Sequence, residues 1–386
     1  MVNLNRLKQV VKRGLRFVKT QGSRLYDPQR QVPDTVQNEV SNSVPVTVDD
    51  NAAVESVAHA EAPTIPSPAA TSEEPITETE EVRNKRTADH WSENTLNNDF
   101  FSANNYWLAV PEVNKRYNQK ATLGQNPNWA VYFLNKYVPN KKEAVMASIG
   151  CGAGQLECLL AQNNGFAQCD AFDIAPGAIE IAKKAAHDKG FHHINYEVSD
   201  VNGMSLKENH YDVIWFNNSL HHISQLEFLY EQIVHALKPN GYLIFNEYIG
   251  PSRFDFTPRQ KEVMKAAFAL IPMRFKRSFV PGHNEPYLLS TAIPDPAEVE
   301  RVDPSESVRS EEIMMLLEDY FDIVEYNVTG GTILQFLLLG IAGNFRTDDP
   351  ESIRVLDMLF AIEDTLIDIG DIQSDFACVA ATPKKK

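Results

Sequence analysis

Three glycines, spaced two residues apart, follow an apolar segment of the sequence. They are Gly150, Gly152 and Gly154 in the run ASIGCGAG, which leads into a helix-like segment. Glycine lets the backbone approach a ligand closely, and the start of a helix offers unpaired N–H groups. The turn therefore predicts a binding site for a nucleotide-like ligand. A tight strand–helix turn that binds nothing is the plainer alternative.

Two acidic residues follow the next two apolar segments. Asp173 ends the segment CDAFD, with Ile174 directly after it, and Asp200 precedes Val201 in the segment VSDV. A carboxylate at a strand end can accept hydrogen bonds from ribose hydroxyls, so we predict that Asp173, with Ile174 beside it, binds an adenosine ligand. Asp200 is expected to accept a hydrogen bond from the adenine amine, with Val201 or Met204 against the ring face. A helix cap for Asp173 and a plain loop residue for Asp200 are the alternatives.

Two histidines and a glutamate lie at the ends of two further apolar segments. His221 and His222 follow the segment VIWFN, which ends at Asn217, and Glu247 lies near the end of YLIFNEY. Ligands of open α/β sheets bind along the edge formed by such strand ends. We predict that His222, Glu247 or His221, in that order, acts as general base on an acceptor hydroxyl. The alternative is that both histidines only fix their loop by hydrogen bonds.

These residues require a frame in which strands and helices alternate. The apolar segments predict strands at 144–149, 169–173, 195–198, 213–217, 242–246, 323–328 and 376–381. Helices are predicted at 155–162, 176–189, 225–237 and 311–320, with insertions at about 248–309 and 330–371. This alternation predicts an α/β fold with a doubly wound, mostly parallel sheet. The first insertion is expected to cover the substrate with Arg253, His283, Glu285 and Tyr287.

Taken in order, these segments resemble the class I S-adenosylmethionine-dependent methyltransferases. The resemblance covers about residues 144–248 and depends on the runs SIGCGAG, DAFDIAPGAIEIAKKAA, VSDV, FNNSLHHI and LKPNGYLIFNEY. It implies a Rossmann-like sheet with an antiparallel last strand and S-adenosylmethionine as cofactor. It also implies that the three glycines contact the methionine part, that Asp173 binds the ribose, that Asp200 and Val201 lie at the adenine, and that Asn217 lies beside the amino acid end.

One position departs from the family's pattern. The family often has an acid two residues before the first glycine, where this chain has Ser148, so one contact to the methionine amine is not expected. More loosely, residues 246–254 and 330–345 resemble a bacterial subgroup associated with cell-surface glycan synthesis. The expected reaction is therefore methylation, at oxygen, of a small-molecule or glycan acceptor.

Two other functions are compatible with a glycine-rich turn. An NAD-dependent dehydrogenase would share the turn and the acid at 173, but its usual fingerprint is GxGxxG, and this chain has GxGxG. A non-catalytic cofactor-binding module would share every motif and show no turnover with any acceptor.

The N-terminal region differs sharply in composition from the rest. Residues 1–30 are basic, with apolar residues near one face, which predicts an amphipathic helix. Contact of residues 1–24 with an anionic membrane surface is one interpretation, and a solvated tail or a protein contact is the other. Residues 31–88 are acidic and rich in Pro, Ser and Thr, which predicts a disordered linker. The methyltransferase domain is expected over 89–386.

Whole-chain properties narrow the function further. The net charge of −16 argues against general nucleic-acid binding. The four cysteines have no metal-ligand spacing, so we expect reduced thiols and no metal site. No signal peptide is apparent, and no apolar run approaches the ~18 residues needed to span a bilayer. A cytoplasmic protein is expected, peripheral at the inner membrane face if the basic helix binds lipid, and the oligomeric state stays open.

Overall fold

Strands and helices alternate along the chain as the apolar segments predict. The computed structural model describes residues 80–97 and 104–385. The strands are β1 (Val145–Ile149), β2 (Gln168–Asp173), β3 (Ile194–Val198), β4 (Tyr211–Asn217), β5 (Leu237–Tyr248), β6 (Phe321–Gly330) and β7 (Phe376–Pro383). The helices are α1 (Glu80–Asn97), α2 (Pro111–Ala121), α3 (Trp129–Tyr137), α4 (Gln155–Gln162), α5 (Pro176–Asp188), α6 (Leu226–Ala236), α7 (Pro258–Leu270), α8 (Pro296–Val302), α9 (Ile313–Tyr320), α10 (Leu334–Leu338) and α11 (Pro350–Asp368).

The seven strands form one sheet in the order β3-β2-β1-β4-β5-β7-β6. Strands β1 to β5 pair in parallel, and β7 is antiparallel to both of its neighbours. The predicted doubly wound sheet with an antiparallel last strand is thus confirmed. Strand order reverses between β1 and β4, and a crevice forms at the carboxyl ends of strands where such a reversal occurs. The carboxyl ends of β1 and β4 are therefore where a ligand is expected.

Strand β4 shows why the sheet is buried on both faces. Trp215 and Phe216 are consecutive, so their side chains point to opposite faces, and both are fully buried. Trp215 packs among residues of α3, α4 and α5, and Phe216 packs among residues of α6 and α9. A continuous apolar run is typical of a central parallel strand covered by helices on both faces.

Strand β5 begins earlier than the apolar pattern predicts. The run 238–241 reads as a turn between a helix and a strand starting at 242, but the structure has it inside β5. Leu237 pairs with Tyr211 and Tyr242 pairs with Val213, with an irregularity in register between these two pairs. Pro239 is tolerated there because a bulge relaxes the hydrogen-bonding requirement of a regular ladder.

The apolar stretch 333–342 lies in a third hydrophobic core. It contains the short helix α10, whose Leu334, Leu337 and Leu338 are fully buried. This core joins the two insertions, because Phe256 and Phe268 of the first insertion belong to the same cluster. This stretch is therefore buried in the folded protein. In residues 80–97 and 104–385, no helix is long and apolar enough to cross a membrane.

The described structure includes the last part of the segment 31–88 that the sequence predicts as a disordered linker. Helix α1 begins at Glu80, and two of its side chains contact loops far away in sequence. Asn84 bonds to Asp200, and Thr87 bonds to Asp303. Such tertiary contacts stabilise a segment whose local composition favours disorder. The predicted basic helix at 1–30 and the linker up to residue 79 lie outside the described residues.

Candidate active site

The glycine turn after β1 has a left-handed backbone at all three glycines. The φ angles of Gly150, Gly152 and Gly154 are 68°, 53° and 77°. A Cβ at Gly150 would overlap the side chain of Ser219, and one at Gly154 would overlap the hydroxyl of Tyr196. A Cβ at Gly152 would meet no described atom within 4 Å. The turn is therefore packed at both ends and open in the middle, where a ligand can approach the backbone.

Asp173 fastens this turn to the end of β2. One carboxylate oxygen accepts a hydrogen bond from the N–H of Gly152 at 2.8 Å, and the other accepts from Ala175 at 2.9 Å. Burial raises the pKa of Asp173, although the N–H groups of Ala175 and Gly152 oppose that change. A carboxylate offers about four lone-pair sites, so two bonds leave capacity for ribose hydroxyls. Asp173 thus organises the turn as well as lying where a ribose would bind.

An acid lies next to Ser148 even though the strand itself carries none. The hydroxyl of Ser148 donates a hydrogen bond to Glu157, which is fully buried in α4. Burial raises the pKa of Glu157 to about 7, and its second carboxylate oxygen has no hydrogen-bond partner among the described residues. The strand motif does not reveal Glu157, because this carboxylate comes from helix α4 and not from β1. The visible signal was a lone acid in the apolar run LECLLA.

Replacing Glu157 by glutamine should stabilise the protein at alkaline pH. The folded-state pKa of about 7 lies above the ordinary value of 4.5, so stability falls as pH rises between these values and stays low above them. A shift of this size corresponds to at most about 3 kcal/mol. Thermal unfolding of Glu157→Gln should therefore show a higher Tm than wild type near pH 8 and an equal Tm near pH 4. Glu180→Gln, on the exposed face of α5, is the control, and an equal gain from both variants would contradict this prediction.

Asp200 lies beyond β3 and is contacted by α1. One of its oxygens accepts a hydrogen bond from the N–H of Asn202 at 2.9 Å, and the other accepts from the side-chain amide of Asn84 at 2.6 Å. Val201 beside it is buried, and Ile174 after β2 is half-buried. The structure thus brings the predicted adenine residues to neighbouring strand ends, with α1 across them.

Asn217 ends β4 next to an asparagine of β5. Its side-chain oxygen accepts a hydrogen bond from the amide of Asn246 at 3.0 Å, and the two residues are paired across the strands. The hydroxyl of Tyr117 donates to the oxygen of Asn246 from the other side. Asn217 is therefore held at the strand edge, where the sequence predicts the amino acid end of the cofactor.

Glu247 is fully buried at the end of β5, and both of its oxygens are engaged. One accepts hydrogen bonds from the N–H groups of Ser219 at 2.6 Å and Leu220 at 2.8 Å. The other lies 2.7 Å from Nδ1 of His221. Glu247 thus holds the 3-10 turn Leu220–His222 in place. Its predicted role as general base has no support in this geometry, because no part of the side chain is accessible.

The hydrogen bonds of the two histidines fix which ring nitrogen carries the proton. A carboxylate only accepts, so Nδ1 of His221 donates to Glu247. Nδ1 of His222 lies 2.9 Å from the hydroxyl of Ser305, which itself donates to Asp303 at 2.7 Å. That hydroxyl therefore accepts from His222. In their neutral forms both histidines keep a lone pair on Nε2.

Charges around the histidines shift their pKa values in opposite directions. Burial lowers the pKa of His221, but the carboxylates of Glu247, Glu306 and Asp303 together outweigh burial, so the net shift of the pKa is upward. Burial and the neighbouring His221 lower the pKa of His222. His222 is therefore the neutral member of the pair near pH 7.

Three residues beside the histidines come from the first insertion and were missed by sequence reasoning. They are Asp303, Ser305 and Glu306, in the segment DPSES. Nε2 of His221 lies 3.5 Å from one oxygen of Glu306, and Nε2 of His222 lies 4.0 Å from the other. The only signal in the sequence was a short run in which two acids and two serines surround a proline. We refer to His221, His222 and Glu306 as the His–Glu cluster.

Among the residues predicted to cover the substrate, Arg253 is the one that lies beside the His–Glu cluster. Its guanidinium donates to the backbone carbonyls of Pro304 at 2.6 Å and Glu306 at 2.8 Å. Its φ of 56° is a left-handed backbone conformation, which is costly for a residue other than glycine. Arg253 thus holds the loop that carries Glu306. His283, Glu285 and Tyr287, predicted for the same cover, lie exposed in a separate loop.

Helix α1 closes the site on its remaining side. The indole of Trp91 donates to Asp303 at 2.9 Å, and its ring lies edge-on to the ring of His222 at 5.2 Å between centroids. The hydroxyl of Ser92 accepts a hydrogen bond from the N–H of Gly177 at the start of α5. The helix therefore bridges the adenosine side and the histidine side of the same crevice.

Comparison with known proteins agrees with this arrangement. Residues 147–245, from β1 to β5, match a family model described as a methyltransferase domain. Residues 147–245 form a class I S-adenosylmethionine-dependent methyltransferase domain. The match includes the glycine turn, Asp173, Asp200 and the histidine pair, and it ends two residues before Glu247.

The curated relatives match only part of this chain. A malonyl-[acyl-carrier protein] O-methyltransferase of Priestia megaterium is 30% identical over 107 residues, which are 28% of this chain and 38% of that protein. One of Acetivibrio thermocellus is 28% identical over 109 residues, which are 28% of this chain and 37% of that protein. The chain thus spans less than half of the length of these relatives.

Solved structures of methyltransferases are also similar to the chain. The geranyl diphosphate C-methyltransferase of Streptomyces coelicolor, solved with Mg²⁺, geranyl diphosphate and S-adenosyl-L-homocysteine, is 11% identical. Its similarity covers 80% of this chain and all (100%) of that chain, with a TM-score of 0.45.

Proposed function

We propose that this protein transfers a methyl group from S-adenosylmethionine to an oxygen of a small-molecule or glycan acceptor. The observation that carries the proposal is the glycine turn, open at Gly152 and fastened by Asp173, at the point where strand order reverses. The methyltransferase domain match over 147–245 supports the same reaction class. The dehydrogenase alternative lacks comparable support, because its fingerprint differs in glycine spacing.

The residues at the crevice fit the cofactor in its three parts. The free lone pairs of Asp173 suit the ribose hydroxyls, and the backbone at Gly152 has room for the methionine part. Asp200 suits the adenine amine, with Ile174 and Val201 supplying apolar contacts. S-adenosylmethionine supplies an electrophilic methyl group on sulfur. Fixed hydrogen bonds within the crevice reduce the motion of these residues, and such alignment contributes much of the acceleration in methyl transfer.

The His–Glu cluster is the proposed acceptor side of the crevice. A hydroxyl acceptor must lose its proton as the new bond forms. His222 is neutral near pH 7 and has an unprotonated Nε2, so it is the better proton acceptor of the three predicted bases. Glu247 acts as a positioning residue, because it holds the turn on which both histidines lie.

Transfer of labelled methyl groups tests the proposed reaction. Full-length protein and S-adenosylmethionine with a labelled methyl group are incubated with fractionated small molecules and glycolipids. We expect label in a hydroxyl-bearing compound, with none transferred by Asp173→Ala protein. Binding of the cofactor without transfer to any fraction would instead favour the non-catalytic module.

We also propose that residues 1–24 bind an anionic membrane surface. The support is the basic, amphipathic pattern of that segment, which favours contact with acidic lipids. Full-length protein should sediment with vesicles that contain phosphatidylserine, and salt should release it because basic contacts are screened.

A chain that starts at residue 80 is the matched control for this prediction. It retains α1 and every described contact of the domain, so it should keep the thermal transition and the cofactor affinity of the full chain. It should not sediment with the vesicles. Equal sedimentation of both chains would show that the N-terminal segment is not the membrane contact.

A further inference from the structure

We propose that His221, His222 and Glu306 bind a divalent first-row transition-metal ion. Each residue offers one donor atom, and these three atoms all lie within 4.8 Å of one another. Metal–nitrogen and metal–oxygen bonds of about 2.0–2.2 Å place the ligands of a tetrahedral ion roughly 3.4 Å apart. The separations of 3.5 Å and 4.0 Å between Glu306 and the two Nε2 atoms are close to that spacing.

The lone pairs point the right way for ligands. Both Nδ1 atoms are committed as donors, His221 to Glu247 and His222 to Ser305. Each neutral imidazole therefore presents the lone pair of Nε2, and both Nε2 atoms face the carboxylate of Glu306. Three electron-rich donors facing one another are mutually repulsive unless a proton or a metal cation lies between them.

The groups behind the ligands match those that support metal-bound histidines. Histidines that bind metals usually donate their second N–H to a carboxylate, a carbonyl or a water, which fixes the ring and the tautomer. Glu247 serves His221 directly, and Asp303 serves His222 through the hydroxyl of Ser305. Glu247 and Asp303 are themselves buried, so both rings are held from behind.

The charge balance also favours a cation. Glu247, Asp303 and Glu306 bring three carboxylates around the two imidazoles. Arg253 interacts electrostatically with Asp303 and Glu306, but its guanidinium donates to backbone carbonyls, and its carboxylate contact within 4 Å is with the exposed Glu300 at 3.9 Å. His90 of α1 also faces Asp303. Neutral imidazoles would thus leave an excess of negative charge in a site that is largely buried.

The donor set indicates the class of ion. Two imidazoles and one carboxylate suit zinc, iron(II), cobalt or manganese, whereas calcium and magnesium prefer all-oxygen sites. Three protein ligands leave at least one open coordination position. With an ion bound, Nε2 of His222 is a ligand and not a free base, so the ion would instead promote proton loss from an acceptor hydroxyl held in that position, and this role rests on the proposed methyl transfer. The ion site itself does not depend on it.

Metal titration of the full-length chain tests the site without any turnover. After treatment with a chelator, the protein is titrated with Zn²⁺ by calorimetry and with Co²⁺ by visible absorption. We expect one tight ion per chain and Co²⁺ bands typical of nitrogen and oxygen ligands. Loss of a group that only supports a ligand typically costs about 10–100-fold in metal affinity, so His222→Ala and Glu306→Gln, which change the ligands themselves, should each weaken Zn²⁺ binding at least tenfold.

Matched controls separate this site from adventitious binding. His187→Ala removes an exposed histidine of α5 that lies close to His192, and it should leave Zn²⁺ affinity unchanged. Glu306 is partly exposed on a loop, so Glu306→Gln should keep the fold, which the thermal transition verifies. No tight Zn²⁺ binding, or binding that His187→Ala abolishes and Glu306→Gln leaves intact, would overturn the proposal. If Glu306→Gln loses Zn²⁺ binding but still binds S-adenosylmethionine, the metal site is tested independently of the proposed cofactor site.

Discussion

Replacing Asp173 by alanine should weaken S-adenosylmethionine binding by about a hundredfold or more. Two hydrogen bonds from ribose hydroxyls to a carboxylate contribute roughly 1.5–3 kcal/mol each, and each 1.4 kcal/mol is about tenfold in affinity. The structure adds a second cause. Without the carboxylate, the N–H groups of Gly152 and Ala175 lose their acceptor, so the turn is no longer held in its binding conformation. Calorimetric titration of the variant measures both effects together.

Two further variants separate these causes. Asp173→Asn keeps one acceptor oxygen for the turn but removes the charge, so its affinity should fall between those of wild type and Asp173→Ala. Asp188→Ala changes an exposed acid at the end of α5 and should bind the cofactor as wild type does. An Asp173→Ala affinity within a few-fold of wild type would exclude the proposed ribose contact.

Replacing Glu247 by alanine should lower the free energy of unfolding by about 3–5 kcal/mol, the usual cost of removing one partner from a buried charged network. The variant leaves the N–H groups of Ser219 and Leu220 without an acceptor, and Nδ1 of His221 loses its partner. Chemical denaturation monitored by circular dichroism measures the loss. The turn that carries both histidines should also become mobile, so turnover should fall far more than cofactor affinity.

Glu247→Gln is the conservative comparison for this prediction. A glutamine oxygen still accepts from Ser219 and Leu220, so most of the stability should return. Its amide group faces Nδ1 of His221 as a donor, so the ring must change its tautomer or move. We therefore expect stability near wild type with Zn²⁺ binding still impaired. A Glu247→Ala protein as stable as wild type would contradict the positioning role.

The parts of the fold that the sequence predicts are those with local signals. The continuous apolar run of β4 and the glycines after β1 mark the central strands and the turn. Asp173, Asp200 and Asn217 could be placed because each lies at or within two residues of the carboxyl end of a strand. Because the strands are parallel, their carboxyl ends, and therefore these three residues, lie at the same edge of the sheet.

The parts that the sequence does not predict depend on contacts between distant segments. Glu306 meets His222 across 84 positions of sequence, and no periodicity connects an insertion loop to a strand end. Asn84 is ordered by its bond to Asp200, 116 positions away, although the composition around it favours disorder. Glu157 replaces an acid expected on the strand because packing brings α4 beneath Ser148. In each case tertiary packing outweighs the local pattern.

Direct binding of S-adenosylmethionine to the unaltered full-length chain tests the proposed function most simply. Calorimetric titrations in one buffer measure the affinities for S-adenosylmethionine, its demethylated product and NAD. They thus compare the affinity for the proposed cofactor with the affinity for the cofactor of a dehydrogenase. The crevice at Gly152, Asp173 and Asp200 predicts that both S-adenosyl compounds bind at one site per chain and that NAD binds at least tenfold more weakly. Tighter binding of NAD than of S-adenosylmethionine would contradict the assignment of this crevice to methyl transfer.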